Sequence, residues 1–199
     1  MKNLLLLLNS FKVLSRDVEE LLQSMVICKH WSQKDIILAM GQVCREVYFL
    51  EKGMVHIYGI AEAYCRVVTT WVLEEGHIFI SPVSFFEQIP SLENIQAVEP
   101  CTTWSFRHAQ LAAVCERYPE FKDLQDLIKN KYYGMSENWR LMMMGLSPQE
   151  RCNYLYETRP ALILRAPHHI LSSYLEIHKS DIARLINQTL RGKKEIKGK

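Results

Sequence analysis

Between Trp31 and about Phe106 the sequence breaks into short β-rich runs separated by little more than turn-type residues. The runs are V-Y-F-L (47–50), M-V-H-I-Y (54–58), C-R-V-V-T-T-W-V-L (65–73), I-Q-A-V (95–98) and T-W-S-F (103–106). An α/β fold would need a helix between successive strands, and the gaps leave no room for one. Spacing of this kind predicts an antiparallel sandwich or jelly roll of about eight strands. Gly53, at the end of E-K-G, stands where a tight hairpin turn needs a positive φ.

Helical periodicity flanks this region on both sides. Leu4 to Leu22 reads as one or two amphipathic helices with Asp17, Glu19 and Glu20 outward. The opening leucine run is interrupted by Asn9, Ser10, Lys12 and Arg16, too early for a signal segment or a membrane span. After the strands, His108 to Arg117 suits a short helix closed by Pro119. Phe121 to Met144 then runs without proline, with apolar residues at 121, 124, 128, 132, 135, 139 and 142. That is close to a coiled-coil seam on a helix about 35 Å long, and it predicts a homodimer about this helix. Packing of the stripe on its own β-domain is the alternative, because Gly134, Lys131 and Asn138 weaken the seam. Ser147, Pro148 and Glu150 form a helix-start signature, and the helix carrying Cys152, Tyr154 and Leu155 stops before Pro160.

From Ala166 to Gln188 two short helical patterns lie on either side of a break. Ile170, Leu171, Tyr174 and Leu175 make one apolar face, Ile182, Leu185 and Ile186 the next, and Ile177 pins the space between. His178, Lys179, Ser180 and Asp181 open the second helix, with Arg184 one turn on. This is the layout of a helix-turn-helix, although an ordinary helical hairpin has the same spacing.

The charge distribution bears on that choice. The net charge of +2 over 199 residues announces no partner, but residues 179–199 hold seven basic side chains against two acidic ones. The rest of the chain has 17 basic and 20 acidic residues. Positive potential therefore falls at the second helix, which suits phosphate contact; a solvated terminal tail reads the same way from Arg191 onward. An apolar content of 48% allows one sizeable core, or a domain with a small appendage. Six scattered cysteines (28, 44, 65, 101, 115, 152) show no metal-ligand spacing and read as buried thiols of a reducing, cytoplasmic compartment.

In order and spacing the chain resembles the Crp/Fnr superfamily of cyclic-nucleotide-type transcription regulators over residues 11–188. The resemblance rests on E-V-Y-F-L-E-K-G-M-V-H-I-Y, on E-E-G-H-I-F-I-S-P-V-S-F-F with P-S-L-E-N-I-Q-A-V-E, and on S-P-Q-E-R-C-N-Y-L and L-S-S-Y-L-E-I-H-K-S-D-I-A-R-L. It implies an α+β chain: a β-roll (jelly roll) with flanking helices over 1–118, a long dimerisation helix over 119–145 and a small helix-turn-helix domain over 146–199. It also implies a homodimer on a pseudo-palindromic double-stranded DNA site, with RNA polymerase as a further partner and an unidentified small molecule as effector. The recognition positions fall on Lys179, Ser180 and Arg184, with His178 beside them. Two features depart from the family. The glycine of the turn is Glu176, tolerable only if that residue avoids a positive φ, and no sequence is left for a β-wing.

The family's phosphate-binding cassette departs as well. Its arginine and hydroxyl positions fall on Ser91 and Leu92, and His77 lies near the glutamate position. Without a cation a buried cyclic phosphate lacks its compensating charge, so cyclic AMP is not expected to bind in the usual way. His77, Ser81, Ser84, Ser91 and Asn94 remain as a pocket for something smaller or neutral, or for a cyclic nucleotide on altered anchors. A lone His77, and His168 and His169 facing different sides of a helix, do not make a metal site. No nucleophile–base pairing is visible, so no enzyme, metal or cofactor is expected. The reading is a DNA-binding regulator with a degenerate effector pocket; its competitor is a sensor module whose helical tail binds a protein instead.

Overall fold

The computed structural model describes residues 1–61 and 66–197, with side chains as far as residue 192. Cys65 and the basic side chains from Lys193 onward lie outside the described residues. Helices α1 (Lys2–Phe11) and α2 (Arg16–Met25) come first. They bury Leu4 with Leu8 and Val18 with Leu22, pairs spaced by one turn. The Asn9 side chain fixes the corner between them, accepting from the Leu14 N–H at 2.9 Å and donating to Glu19.

Eight strands follow, as expected: β1 (Ile27–Trp31), β2 (Ile36–Leu38), β3 (Glu46–Lys52), β4 (Met54–Ala61), β5 (Arg66–Glu74), β6 (Ile78–Phe79), β7 (Asn94–Ala97) and β8 (Cys101–Arg107). They form two four-stranded sheets, ordered β1-β8-β3-β6 and β2-β7-β4-β5. Strand β8 pairs antiparallel with β1 on one side (Ile27 opposite Ser105) and with β3 on the other (Phe49 opposite Trp104). Leu50, Met54, Val55 and Ile95 are fully buried in this β-roll. Gly53 takes φ +103°, and a Cβ there would lie 2.6 Å from Cys101 Sγ and 2.7 Å from the Pro100 carbonyl oxygen. Both the turn and the close approach of the next strand therefore require glycine.

One gap between strands does hold a helix. Helix α3 (Pro82–Glu87) lies between β6 and β7, starts on a proline and stops at Gln88, which has φ +53°. After β8 come α4 (His108–Arg117), α5 (Pro119–Gly145), α6 (Pro148–Thr158), α7 (Pro160–Arg165), α8 (His168–Tyr174) and α9 (Ile182–Lys197). The short α7 was not foreseen; its proline is tolerated because it sits in the first turn. Ser147 and Glu150 form the expected capping box of α6. Among the described residues no strand follows β8.

By its packing the chain divides into two units, Met1–Ile57 with Leu73–Met135, and Tyr58–Val72 with Ser136–Lys199. The second unit thus contains the outer part of the β4–β5 hairpin as well as the C-terminal helices. Its core is Leu155, Leu162, Leu171 and Leu175, all fully buried, with Cys152, Ile170, Tyr174, Ile177, Ile182, Leu185 and Ile186 around them.

The apolar stripe of α5 has more than one destination. Phe121 and Leu124 are buried, and the Tyr132 hydroxyl accepts the Ile78 N–H at 2.7 Å, all in the first unit. Trp139 stacks on Tyr174 with ring centroids 4.2 Å apart, in the second. The large apolar side chains that α5 leaves exposed are Leu127, Tyr133, Leu141 and Met144, so the exposed stripe is displaced from the sequence-predicted seam.

Candidate functional site

Helices α8 and α9 and the turn between them build the helix-turn-helix from the residues expected to do so. Ile170, Leu171, Tyr174 and Leu175 face inward from α8, Ile182, Leu185 and Ile186 from α9, and Ile177 is buried in the turn. The turn is a Schellman motif. The Ile177 N–H donates to the Ser172 carbonyl at 2.9 Å and the Glu176 N–H to that of Ser173 at 3.4 Å, while the Ser172 hydroxyl donates to the Ile177 carbonyl at 2.7 Å. The motif places Glu176 at φ +51°, in the left-handed region. The expectation that this residue must avoid a positive φ is therefore corrected: the turn adopts the glycine geometry and the glutamate bears its cost.

The four candidate DNA-binding residues lie at the entry to α9. The helix begins at Ile182, so His178, Lys179 and Ser180 occupy the preceding turn, and only Arg184 is in the helix. All four are exposed. His178 Nδ1 and the Ser180 hydroxyl lie 2.8 Å apart, and Ser180's own N–H points at the same ring nitrogen at 3.3 Å. Arg184 donates to Asp181 Oδ1 at 3.0 Å and to Gln188 Oε1 at 3.4 Å. Neither Asp181 nor Gln188 was singled out as holding the arginine, although their i−3 and i+4 spacings put them beside it. The exposed face continues through Ala183, Asn187, Gln188 and Arg191.

Arg151 fixes the end of α5 to this motif. Its guanidinium donates to the carbonyls of Leu146 at 3.0 Å, Met143 at 2.5 Å and Leu175 at 3.0 Å. Two of these are orphan acceptors at the C-terminus of α5 and the third is at the end of α8. Trp139 on Tyr174 makes the second contact between the same helices.

In the first unit the cassette residues are joined to one another. Ser91, buried, donates to Ser81 Oγ at 2.9 Å and to the Glu93 carbonyl at 2.8 Å, and accepts the Glu93 N–H at 3.0 Å. Ser81 in turn donates to Glu93 Oε2 at 3.4 Å. Ser84 donates to the Ile89 carbonyl and accepts the Cys44 N–H. Asn94 Oδ1 holds the Met40 N–H at 2.9 Å, and His77 Nδ1 lies 3.0 Å from the Glu74 carbonyl. The structure therefore brings Ser81 and Ser91 together, and adds Glu93, which the sequence reading passed over. It gives Ser84, Asn94 and His77 separate backbone partners.

The sequence from residue 28 to residue 118 matches the family model of the cyclic nucleotide-binding domain. No curated protein matches the chain by sequence. Solved structures do match it in fold. FixK2 from Bradyrhizobium japonicum is 14% identical with a TM-score of 0.71, over 84% of this chain and 85% of that one. A protein described as a transcriptional regulator of the Crp/Fnr family from Eubacterium rectale is 14% identical with a TM-score of 0.69, over 90% and 85%. The c-di-GMP responsive global regulator CLP from Xanthomonas campestris is 11% identical with a TM-score of 0.68, over 89% and 93%. The fold is that of the Crp/Fnr regulators.

Within this fold the cassette does not suit a cyclic nucleotide. No lysine or arginine occurs from residue 67 to residue 106, while Glu74, Glu75, Glu87, Glu93 and Glu99 do. A phosphate at Ser91 would meet an engaged hydroxyl and the Glu93 carboxylate instead of a guanidinium. Among the described residues no three histidine, cysteine, aspartate or glutamate side chains cluster as a metal site. Burial pushes the Cys44 thiol up, and pushes Cys101 and Cys152 each up to about 11, so these thiols stay protonated and unreactive at neutral pH. No described helix is long and apolar enough to cross a membrane.

Proposed function

We propose that the chain is a sequence-specific DNA-binding transcription regulator, acting as a homodimer, whose roll does not bind cyclic AMP in the usual way. The observation that carries the reading is the complete helix-turn-helix core together with the exposed Lys179, Ser180 and Arg184 at the start of α9. Basic side chains at a recognition-helix N-terminus can donate to guanine N7 and O6 and to phosphates. The Schellman turn supports the same reading, because it directs α9 away from α8 without the glycine usual at that position. Dimerisation is supported by α5, where Leu127, Gly134 and Leu141 recur every seven residues on a side left open to solvent. A second copy packed there would carry the second helix-turn-helix to the other half of a pseudo-palindrome, about 34–36 Å away.

Selection of bound sequences from a random DNA pool, with no ligand added, tests the proposal. An enriched inverted repeat is the expected result, and replacing Lys179 and Arg184 together by alanine should abolish the enrichment while the protein stays folded. The competing reading is that the helical tail binds a protein. Retention on DNA that does not weaken with added salt, or no retention at all, would favour it, since phosphate neutralisation gives a steep salt slope.

A further inference from the structure

Strand β5 is an edge strand of its sheet, and edge strands present backbone N–H and C=O groups that need partners. Two of these groups are taken by one side chain 104 or more residues later in the sequence. Ser173, on α8, accepts the Thr69 N–H at 3.0 Å and donates its own hydroxyl to the Val67 carbonyl at 3.1 Å. A single hydroxyl thus stands in for the neighbouring strand, meeting the N–H and C=O of alternate residues that point the same way. A third bond lies further along the strand, where Arg159 Nη2, at the junction of α6 and α7, donates to the Val72 carbonyl at 2.8 Å.

These bonds explain why residues 58–72 pack with the C-terminal helices while Leu73 and Glu74, the next residues of the same strand, pack with the roll. Val72 and Leu73 are both buried, so the strand has no exposed joint between the two environments. A paired strand is stiff along its length, and a displacement at one end of β5 is delivered at the other. Each bond that holds it falls on a backbone group, so the link is insensitive to which side chains β5 carries.

We propose that β5 is a strut coupling the β-roll to the helix-turn-helix, with Ser173 and Arg159 as the positioning residues that fasten it. Helix α8 is held on one side by Arg151 and Trp139 from α5, its neighbour along the chain, and on the other by β5. The orientation of the recognition helix is then set by two attachments, and any change in the roll that shifts β5 acts on α8 directly. This goes beyond the DNA-binding reading.

The test is residue-resolved amide exchange on the full chain without DNA, comparing wild type with Ser173→Ala, Ser173→Thr and Arg159→Met. In Ser173→Ala the Thr69 amide should exchange about fivefold faster, the equivalent of one net hydrogen bond of roughly 1 kcal/mol. Coupling further requires faster exchange at Leu73 and Glu74, which Ser173 does not touch, because a link must loosen at both ends. Arg159→Met should give the same spread, and Ser173→Thr, which keeps the hydroxyl, should match wild type. Unchanged exchange at Thr69, or a change confined to 67–69 and 168–175 in both variants, would overturn the proposal. Because no DNA is present, its failure and failure of the DNA-binding reading are read separately.

Discussion

Replacing Glu176 by glycine should stabilise the helix-turn-helix. The residue sits at φ +51°, and both hydrogen bonds of the Schellman turn depend on that conformation. For an L-residue the left-handed region costs about 1–2 kcal/mol, and glycine removes the cost. Glycine also has more freedom to lose from the unfolded chain, which takes back about 0.4–1 kcal/mol. The glutamate side chain is exposed, so its loss removes no buried contact. The net gain is about 0.5–1 kcal/mol, or a Tm increase of roughly 1–4 °C for a chain of this length. Urea unfolding at pH 7 followed by tryptophan fluorescence reads it, because Trp139 stacks on Tyr174 next to the turn. Glu176→Ala is the control: it keeps the Cβ and therefore the strain, and should stay within about 0.5 kcal/mol of wild type. A glycine variant no more stable than the alanine variant would refute the argument, since the only difference between them is the tolerance of positive φ.

Three further outcomes follow from single contacts. Gly53→Ala should destabilise the roll by at least about 2–3 kcal/mol, because the positive φ and the contacts at 2.6 and 2.7 Å both oppose a Cβ; an unfolding curve like wild type's would show that the turn relaxes freely. Arg151→Met should cost on the order of 2–4 kcal/mol in chemical unfolding, as three carbonyls lose a charged donor. The Glu46 carboxyl is pushed up by burial but held below its ordinary range overall by the Lys29 ammonium, which bonds it at 2.5 Å. A depressed carboxylate contributes stability above its unfolded pKa of about 4.5 and loses it as pH falls through the lower folded value. Glu46→Gln should therefore narrow its stability gap to wild type between pH 5 and pH 3, and parallel curves over that range would contradict the assignment.

The β-roll was readable from sequence because its cause is local. Period-2 runs such as 47–50 and 54–58, with glycine at 53, can bury one face only as antiparallel strands, and the helix-turn-helix was readable from the spacing of Ile170 to Ile186 for the same reason. Helix α3 escaped notice because S-P-V-S-F-F has no full turn of periodicity, and α7 because A-L-I-L-R reads equally as a strand. At the cassette the sequence showed that a cation is missing. It did not show that Ser81, Ser91 and Glu93 bond one another, since that follows from the path of the chain between β6 and β7.

What the sequence determined by itself is the set of elements, their order and the faces they bury, because propensity, turn chemistry and apolar period act over a few residues. What only the tertiary structure decided are the uses of residues whose partners are far along the chain. Trp139 was counted in a dimer seam and instead stacks on Tyr174; Arg151 binds the end of α8; Ser173, a polar position on a short helix, closes the edge of a strand some hundred residues earlier. Each satisfies a backbone group or ring face that exists only after the elements have met, and no local pattern can encode such a demand.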